Sequence, residues 1–347
     1  MYCPLYNRRP KQSGAALVVA LLVFALSAAL MVGLQRDFSL FMARSSNTFT
    51  LEQGWQFLRG AESLAAAALA YDAKQDTASE QPRDDLTEIW AQRNAPYALP
   101  GGGWLVGELQ DLQGRLNLNN LATEGAPPLG SAGTGAGEQP RFGPTQQQLI
   151  RLLQTLDGLE IDEVQAIQLT EAISDFIDAD GERRLEGAEA EAYRNLTPGY
   201  LASNQPFVTT SELRSVQGMT PAIYRALAPF ITVWPATGGT LNLLTMPEAL
   251  FYTLNVKDNL SPLSTDQVLP LLEARGAGEI GTVEELLNHP VLAELDMAYL
   301  ADSLDIRSAW FLLTAQVELG EREMRMWSVL ERLGEQTRVV SRAQGEP

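Results

Sequence analysis

Residues Ala15 to Leu34 form an uncharged run of 20, relieved only by Ser27 and Gly33. Nothing else in the chain constrains the fold as strongly. As a helix rising ~1.5 Å per residue the run spans roughly 30 Å, the thickness of a bilayer core. It exceeds the ~7–15 apolar residues usual for a disposable secretory signal. Arg8, Arg9 and Lys11 precede it, and no acid lies within residues 1–14. That asymmetry keeps the N-terminus cytoplasmic and sends the remainder across. Three uses are open on this pattern: a discarded signal, a plain anchor, or a segment cut at one bond and then used in assembly.

The helical period continues past Leu34. Phe38, Phe41, Met42, Phe49, Trp55, Leu58, Leu64, Ala65 and Leu69 form a broad apolar stripe, weakened only at Gly54 and Gly60. The spacing predicts one long helix, half in the membrane and half amphipathic; a signal anchor followed by an unrelated helix also fits. Residues 82–96, polar with a proline at each end, read as a surface segment. Residues 101–121 read as two strands joined at a Gln113–Gly114 turn, with Trp104, Val106, Leu116 and Leu118 spaced by two. The stretch 123–144 holds six Gly and four Pro, a composition suited to a flexible connection.

From 145 to 305 the pattern becomes short helices punctuated by Gly and Pro. Thr145 and Thr282 stand where N-caps belong, and Glu285 completes a capping box with Thr282. After 306 the alternation returns in AWFLLTAQVEL, REMRMWSVLERL and QTRVVSRA, with turns at Gly320 and Gly334. Strands on both sides of a helical block predict an α domain inserted into an α/β unit. Gly114-Arg-Leu-Asn-Leu recurs as Gly239-Thr-Leu-Asn-Leu; strand-to-turn joints explain both, and no duplication is drawn from the echo.

The formal charge of −18 disfavours phosphate backbones and anionic lipid, and favours cations and basic partner patches. Nucleic acid is therefore not an expected ligand. The single cysteine, Cys3, lies in the basic leader, so a chain without the leader has neither disulfide nor Cys-ligated zinc. The single histidine, His289, precedes a proline and reads as a loop or helix-end residue, which removes His-based zinc sites and most nucleophile–His triads.

Chemistry concentrates in SDFIDADGERRLEGAEAEAY, residues 174–193. Between 157 and 191 there are twelve acids and only two basic residues. Asp178, Asp180 and Glu182 alternate, Glu186 follows, and Glu189 lies eleven positions after Asp178, matching positions 1, 3, 5, 9 and 12 of an EF-hand loop. The glycine, however, is Gly181 at position 4, and Arg183 stands at position 6. The spacing thus suits an EF-like or irregular calcium loop; a merely solvated acidic loop also fits. A carboxylate pair for glycoside hydrolysis needs two acids across a cleft, which a dense cluster does not supply. Residues 209–235 carry Val216, Gly218 and Met219 in the turn pattern of a helix-hairpin-helix. With only Arg214 and Arg225 nearby, the turn reads as a packing unit and not a phosphate site.

These residues carry a resemblance. A basic leader, Gly14, then Ala15 and an apolar helix resemble the type III signal of pilins and pseudopilins, cut by a prepilin peptidase between Gly14 and Ala15. Together with DFIDADG…GAE, SNQPF and SELRSVQGM, the chain resembles the K-type minor pseudopilins of bacterial type II secretion along nearly its whole length. The resemblance implies an α+β pseudopilin fold: a long N-terminal helix on a small antiparallel sheet, with a large inserted helical domain of SAM-like or helix-hairpin-helix type. It implies a leader at 1–14, a transmembrane part at 15–34, helix and first strands at 35–122, a linker at 123–144, the inserted domain at 145–305 and final strands at 306–347.

The family is not enzymatic. It implies a fibre-tip subunit in the inner membrane with its bulk in the periplasm, partnered by I-, J- and H-type minor pseudopilins, the major pseudopilin and the assembly platform. Pseudopilins mostly carry Glu at the fifth mature position, where it neutralises the amine of the subunit ahead; Val19 stands here, as suits a subunit with nothing ahead. The resemblance implies Ca²⁺ on Asp178, Asp180 and Glu189, with Asp175, Glu182 and Glu186 as further candidates. The alternatives are a membrane-anchored periplasmic hydrolase or a calcium-binding module unrelated to secretion. The first would need a nucleophile–base pair, and neither G-x-S-x-G nor H-E-x-x-H occurs.

Overall fold

A computed structural model describes residues 13–92, 95–124 and 141–345. The basic leader through residue 12 and most of the Gly/Pro-rich connection at 123–144 lie outside the described residues. The chain divides into two compact units, Met1–Phe57 and Leu58–Pro347. Helix α1 (Ser13–Ala78) is continuous through Gly54 and Gly60. In the first unit the side chains of Leu17, Val18, Leu21, Leu22 and Phe24 are all exposed. Among the described residues α1 is the one helix long and apolar enough to cross a membrane.

In the second unit α1 buries Leu58, Ala61, Ala65 and Leu69. At ~100° per residue these fall on one narrow face, while Leu64 lies about 240° round from Leu58 and is 70% exposed. Leu64 therefore does not belong to the buried stripe that its apolar character suggests. Two acids share the buried face, and each has its counter-charge. Glu62 accepts from Ser328 Oγ at 2.7 Å and from Arg342 at 2.7 and 2.8 Å, and Asp72 accepts from Arg332 at 2.8 Å.

The strands in chain order are β1 (Tyr97–Ala98), β2 (Trp104–Asp111), β3 (Leu116–Asn117), β4 (Ile231–Thr232), β5 (Leu241–Asn242), β6 (Leu304–Asp305), β7 (Trp310–Leu319), β8 (Arg322–Leu333) and β9 (Gln336–Gln344). Five of them make an antiparallel sheet in the order β1-β2-β7-β8-β9. Along β7 burial alternates strictly, with Phe311, Leu313, Ala315, Val317 and Leu319 inward. Gly320 and Gly334 turn the chain with φ of 62° and 61°, a region that costs glycine little. The three C-terminal strands thus form where the alternation places them.

The expected hairpin at Gln113–Gly114 does not form. Trp104 to Asp111 pair with Glu318 to Phe311 across the whole intervening helical block, whereas β3 leaves the sheet and pairs in parallel with β4. Gly114 is there for close approach: a Cβ would sit 2.7 Å from Thr245 Oγ1. The described residues of 82–96 are mostly exposed, as expected of a surface segment, but two of them anchor it to the interior. Asp84 is fully buried between Arg332 and the Ser308 amide, and Trp90 packs edge-on against Phe311 at 5.0 Å.

Between β2 and β7 lie α2 (Pro144–Gln154), α3 (Glu163–Ile177), α4 (Ala190–Arg194), α5 (Pro221–Leu227), α6 (Glu248–Phe251), α7 (Thr265–Ala277) and α8 (Val283–Leu287). One apolar core joins them, from Leu116 through Ile150, Ile173 and Phe251 to Leu304. Thr145 is not an N-cap: Gly143 holds that place with Pro144 at N1, and the Thr145 hydroxyl bonds Glu124 at 2.7 Å. Thr282 does cap α8, accepting from Glu285 N at 3.1 Å, and the Glu285 carboxylate reaches back to Gly281 N at 2.8 Å. Arg151 is buried in the centre, donating to the Thr253, Val256 and Asn259 carbonyls.

Candidate metal centre

Helix α3 places the acidic loop. Asp162 caps it by accepting from Gln165 N at 2.8 Å, and a face from Ala166 through Ile177 is buried. The helix ends at Asp178, which takes an extended backbone, and the chain re-enters a helix at Glu189, the N-cap of α4. The two carboxylates that bracket the loop therefore stand at facing helix ends. Asn204 secures the loop from outside, donating to Asp180 O at 2.5 Å and, through its amide, to Phe176 O at 2.9 Å. Behind it Phe176 meets Tyr193 at 5.3 Å and Phe207 at 5.8 Å, so the aromatic residues flanking the acidic motif form its floor.

Asp178, Asp180 and Glu189 bring one oxygen each within 4.8 Å of one another. Asp178 and Glu189 are 4% and 7% exposed, and Asp178 Oδ1 and Glu189 Oε1 are buried without a hydrogen-bond partner. A buried carboxylate oxygen lacking a donor is costly, and two of the three clustered residues carry one. Burial pushes Asp178 up to about 6, against the pull of Arg184. Burial pushes Glu189 up to about 7, with Asp175, Asp178 and Asp180 adding repulsion. Hard, mutually repelling oxygens of this kind fit a hard divalent ion.

The other candidates are placed differently. Asp175 is fully buried and committed to Arg184, accepting from its amide at 3.1 and 3.3 Å and from Nη1 at 2.7 Å. Arg184 Nη1 also pairs with Asp178 Oδ2. Gly187 makes this clasp fit, since a Cβ there would lie 2.0 Å from Asp175 Oδ2. The Glu182 and Glu186 side chains are exposed and outside the cluster of three. Glu186 contributes its amide instead, donating to the buried Glu171 at 2.6 Å, which Arg141 neutralises at 2.9 Å.

Sequence reasoning missed a second acidic group. Asp72, Asp84 and Glu88 also converge within 4.8 Å. Arg332 already sits among them, bonded to Asp72 at 2.8 Å and to Asp84 at 2.5 Å, so these two acids have their counter-charge, and Glu88 beside them accepts from the Trp90 indole and the Asp85 amide. Trp90, 3% exposed, donates its indole N–H to Glu88 at 2.7 Å and is the one residue of this polar segment whose type signals that it is anchored inward. Elsewhere, the Gly218 turn (φ 83°) packs onto Leu169 of α3. His289 caps a short turn, accepting from Val291 N at 3.4 Å.

A helix long and apolar enough to cross a membrane, an antiparallel sheet closed across a helical insertion, and an acidic loop between two helices define an α+β protein of the pseudopilin class. Residues 114–236 match the family model for type II secretion system protein K. Type II secretion system protein K of Klebsiella pneumoniae is 30% identical over 339 residues, covering 96% of this chain and 97% of that one. The Pseudomonas aeruginosa protein K is 30% identical over 341 residues, covering 97% and 94%. In the solved GspK-GspI-GspJ complex of enterotoxigenic Escherichia coli, the matching chain superposes with a TM-score of 0.68 at 27% identity, over 88% of this chain and all of that one. This chain belongs to the type II secretion system protein K family, and its role is that of a minor pseudopilin in protein secretion.

Proposed function

We propose that this subunit stands at the tip of the periplasmic pseudopilus, anchored in the inner membrane until assembly and joined there to I- and J-type minor pseudopilins. The observation that carries the reading is the likeness, over 88% of this chain, to a chain solved in a complex with GspI and GspJ. Prepilin peptidase frees Ala15, and the exposed stripe from Leu17 to Phe49 passes from lipid to neighbouring helices, where its apolar surface is again removed from water. Val19 offers no carboxylate to a subunit ahead, which suits the first position. The deciding test is co-purification of the detergent-extracted full chain with the I- and J-type minor pseudopilins of the same system. A stable ternary complex is expected; a chain that stays monomeric with both partners present, or begins at a residue other than Ala15 by mass spectrometry, refutes the proposal.

The acidic loop, in the same reading, holds Ca²⁺ on Asp178, Asp180 and Glu189. Support comes from the two orphaned buried oxygens and from like-charge repulsion across the three carboxylates. Asp178 at the end of α3 and Glu189 at the start of α4 would hold the ion between them, and its charge would keep both carboxylates ionised. Millimolar Ca²⁺ is expected to raise the melting temperature, and Asp178→Asn to abolish the rise.

A further inference from the structure

Arg184 is one of two basic residues in a stretch of twelve acids, and by composition it reads as a solvated loop cation. Its placement is the reverse. The side chain is 8% exposed and lies among carboxylates. Its guanidinium joins Asp175 in the last turn of α3 to Asp178 at the helix end, while its own amide donates to Asp175 a second time. Main chain and side chain of one residue thus grip one buried carboxylate, and Gly187 leaves just enough room for the grip.

We infer that Arg184 is a tethered cation that keeps the acidic loop folded when no ion is bound and confines a divalent ion to Asp178, Asp180 and Glu189. Asp175 has its charge and its hydrogen bonds met by Arg184, so it is a positioning residue and not a ligand. Asp178 is shared: one oxygen faces Arg184, and the orphaned Oδ1 is left for the ion. Arg184 Nε, likewise unpartnered, shows that the clamp is incompletely satisfied on both sides. A loop of this design is strengthened by calcium without depending on it, because one fixed positive charge already offsets the repulsion that would otherwise open it. The part of the inference that concerns the ion rests on the calcium reading above; the part that concerns the clamp does not.

The test is hydrogen exchange by mass spectrometry on the full chain in detergent, in EGTA and in 1 mM Ca²⁺, following peptides within 178–194. Arg184→Met keeps the stem's packing and removes the charge; Arg184→Lys keeps a charge. In EGTA, R184M is expected to exchange at least about tenfold faster than wild type over this loop, the size of one lost charge-assisted hydrogen bond. R184K should remain near wild type, and Ca²⁺ should restore R184M. Protection in β7 and β8 reports whether the variant folds, and Arg184→Gln is the milder replacement if R184M does not. Equal loop exchange for wild type and R184M in EGTA overturns the inference. Faster exchange in R184M that Ca²⁺ fails to reverse, with wild type also indifferent to Ca²⁺, upholds the clamp and rejects the calcium site.

Discussion

Gly114-Arg-Leu-Asn-Leu and Gly239-Thr-Leu-Asn-Leu begin two stretches that share a local plan. In each a two-residue strand pairs in parallel with a strand reached much later, β3 with β4 and β5 with β6. In each the asparagine turns its Oδ1 onto the amide two residues on, Asn119 at 3.1 Å in the first and Leu244 at 2.8 Å in the second. The Nδ2 groups then diverge. Asn117 donates to the Pro235 and Gly238 carbonyls, inside the helical domain. Asn242 donates to Asp111 Oδ2 at the end of β2 and to Asp84 O and Ser308 Oγ in segments flanking the sheet. One motif closes the helical domain on itself; its counterpart welds that domain to the sheet. Local geometry follows from the sequence of the motif, whereas its energetic role follows from what surrounds it.

The comparison breaks most visibly at the weld. Asn242→Ala removes an amide group whose two N–H bonds are shared among three acceptors and strips a donor from the buried Asp111 carboxylate, so it should cost about 3–5 kcal/mol. It should also split denaturant unfolding into two transitions, as sheet and helical domain lose their common joint. Asn117→Ala should cost about 1–3 kcal/mol, since it leaves two carbonyls and the Asn119 amide without their partner but strips no carboxylate, and unfolding should stay a single transition. Equal losses with equal cooperativity would show that the two asparagines do the same job.

The acidic loop sharpens the contrast, because only the first stretch carries one between its paired strands. If Ca²⁺ binds as proposed, at about 100 times its dissociation constant it adds roughly 2.7 kcal/mol. Hydrogen-exchange protection should then rise between β3 and β4 and stay unchanged between β5 and β6. A rise spread evenly over both stretches would point to non-specific screening of the −18 charge.

How much of this was legible beforehand depended on whether the cause was local. Strict alternation in β7, with β8 and β9 after it, reads directly because each strand pairs with the next through a tight turn. Loop spacing, a local property, also singled out Asp178, Asp180 and Glu189, which converge within 4.8 Å, but the same spacing included Glu182 and Glu186, which do not join them. The partner of β2 did not: β7 arrives only after the whole helical insertion, and Gly114, which looks like a hairpin turn, serves the approach of Thr245. Asp84 looked like a surface acid because its counter-charge, Arg332, is on β8. Arg184 was unreadable for a different reason. Nothing in its neighbours distinguishes an arginine pointing out from one folded back onto α3.

The smallest expected effect concerns pH, and it separates the two asparagine sites by chemistry. Asn117 bonds only backbone groups, while the segment that Asn242 touches carries buried acids. Glu88 is pushed up to about 8 by burial, with Asp72 and Asp84 adding repulsion and the Trp90 indole and Asp85 amide opposing. Its folded value lies above the unfolded one, so between pH ~4.5 and 8 the native state holds a proton that the unfolded chain has released. Stability from this group is complete below that window and is lost as pH rises through it. Glu88→Gln keeps an acceptor for Trp90 and removes the titration. The variant should therefore melt higher than wild type at pH 8, with the advantage shrinking to nothing by pH 4.5. Parallel curves for the two proteins across that range would mean that the Asp72–Asp84–Arg332 network, and not Glu88, sets the acid side of the weld.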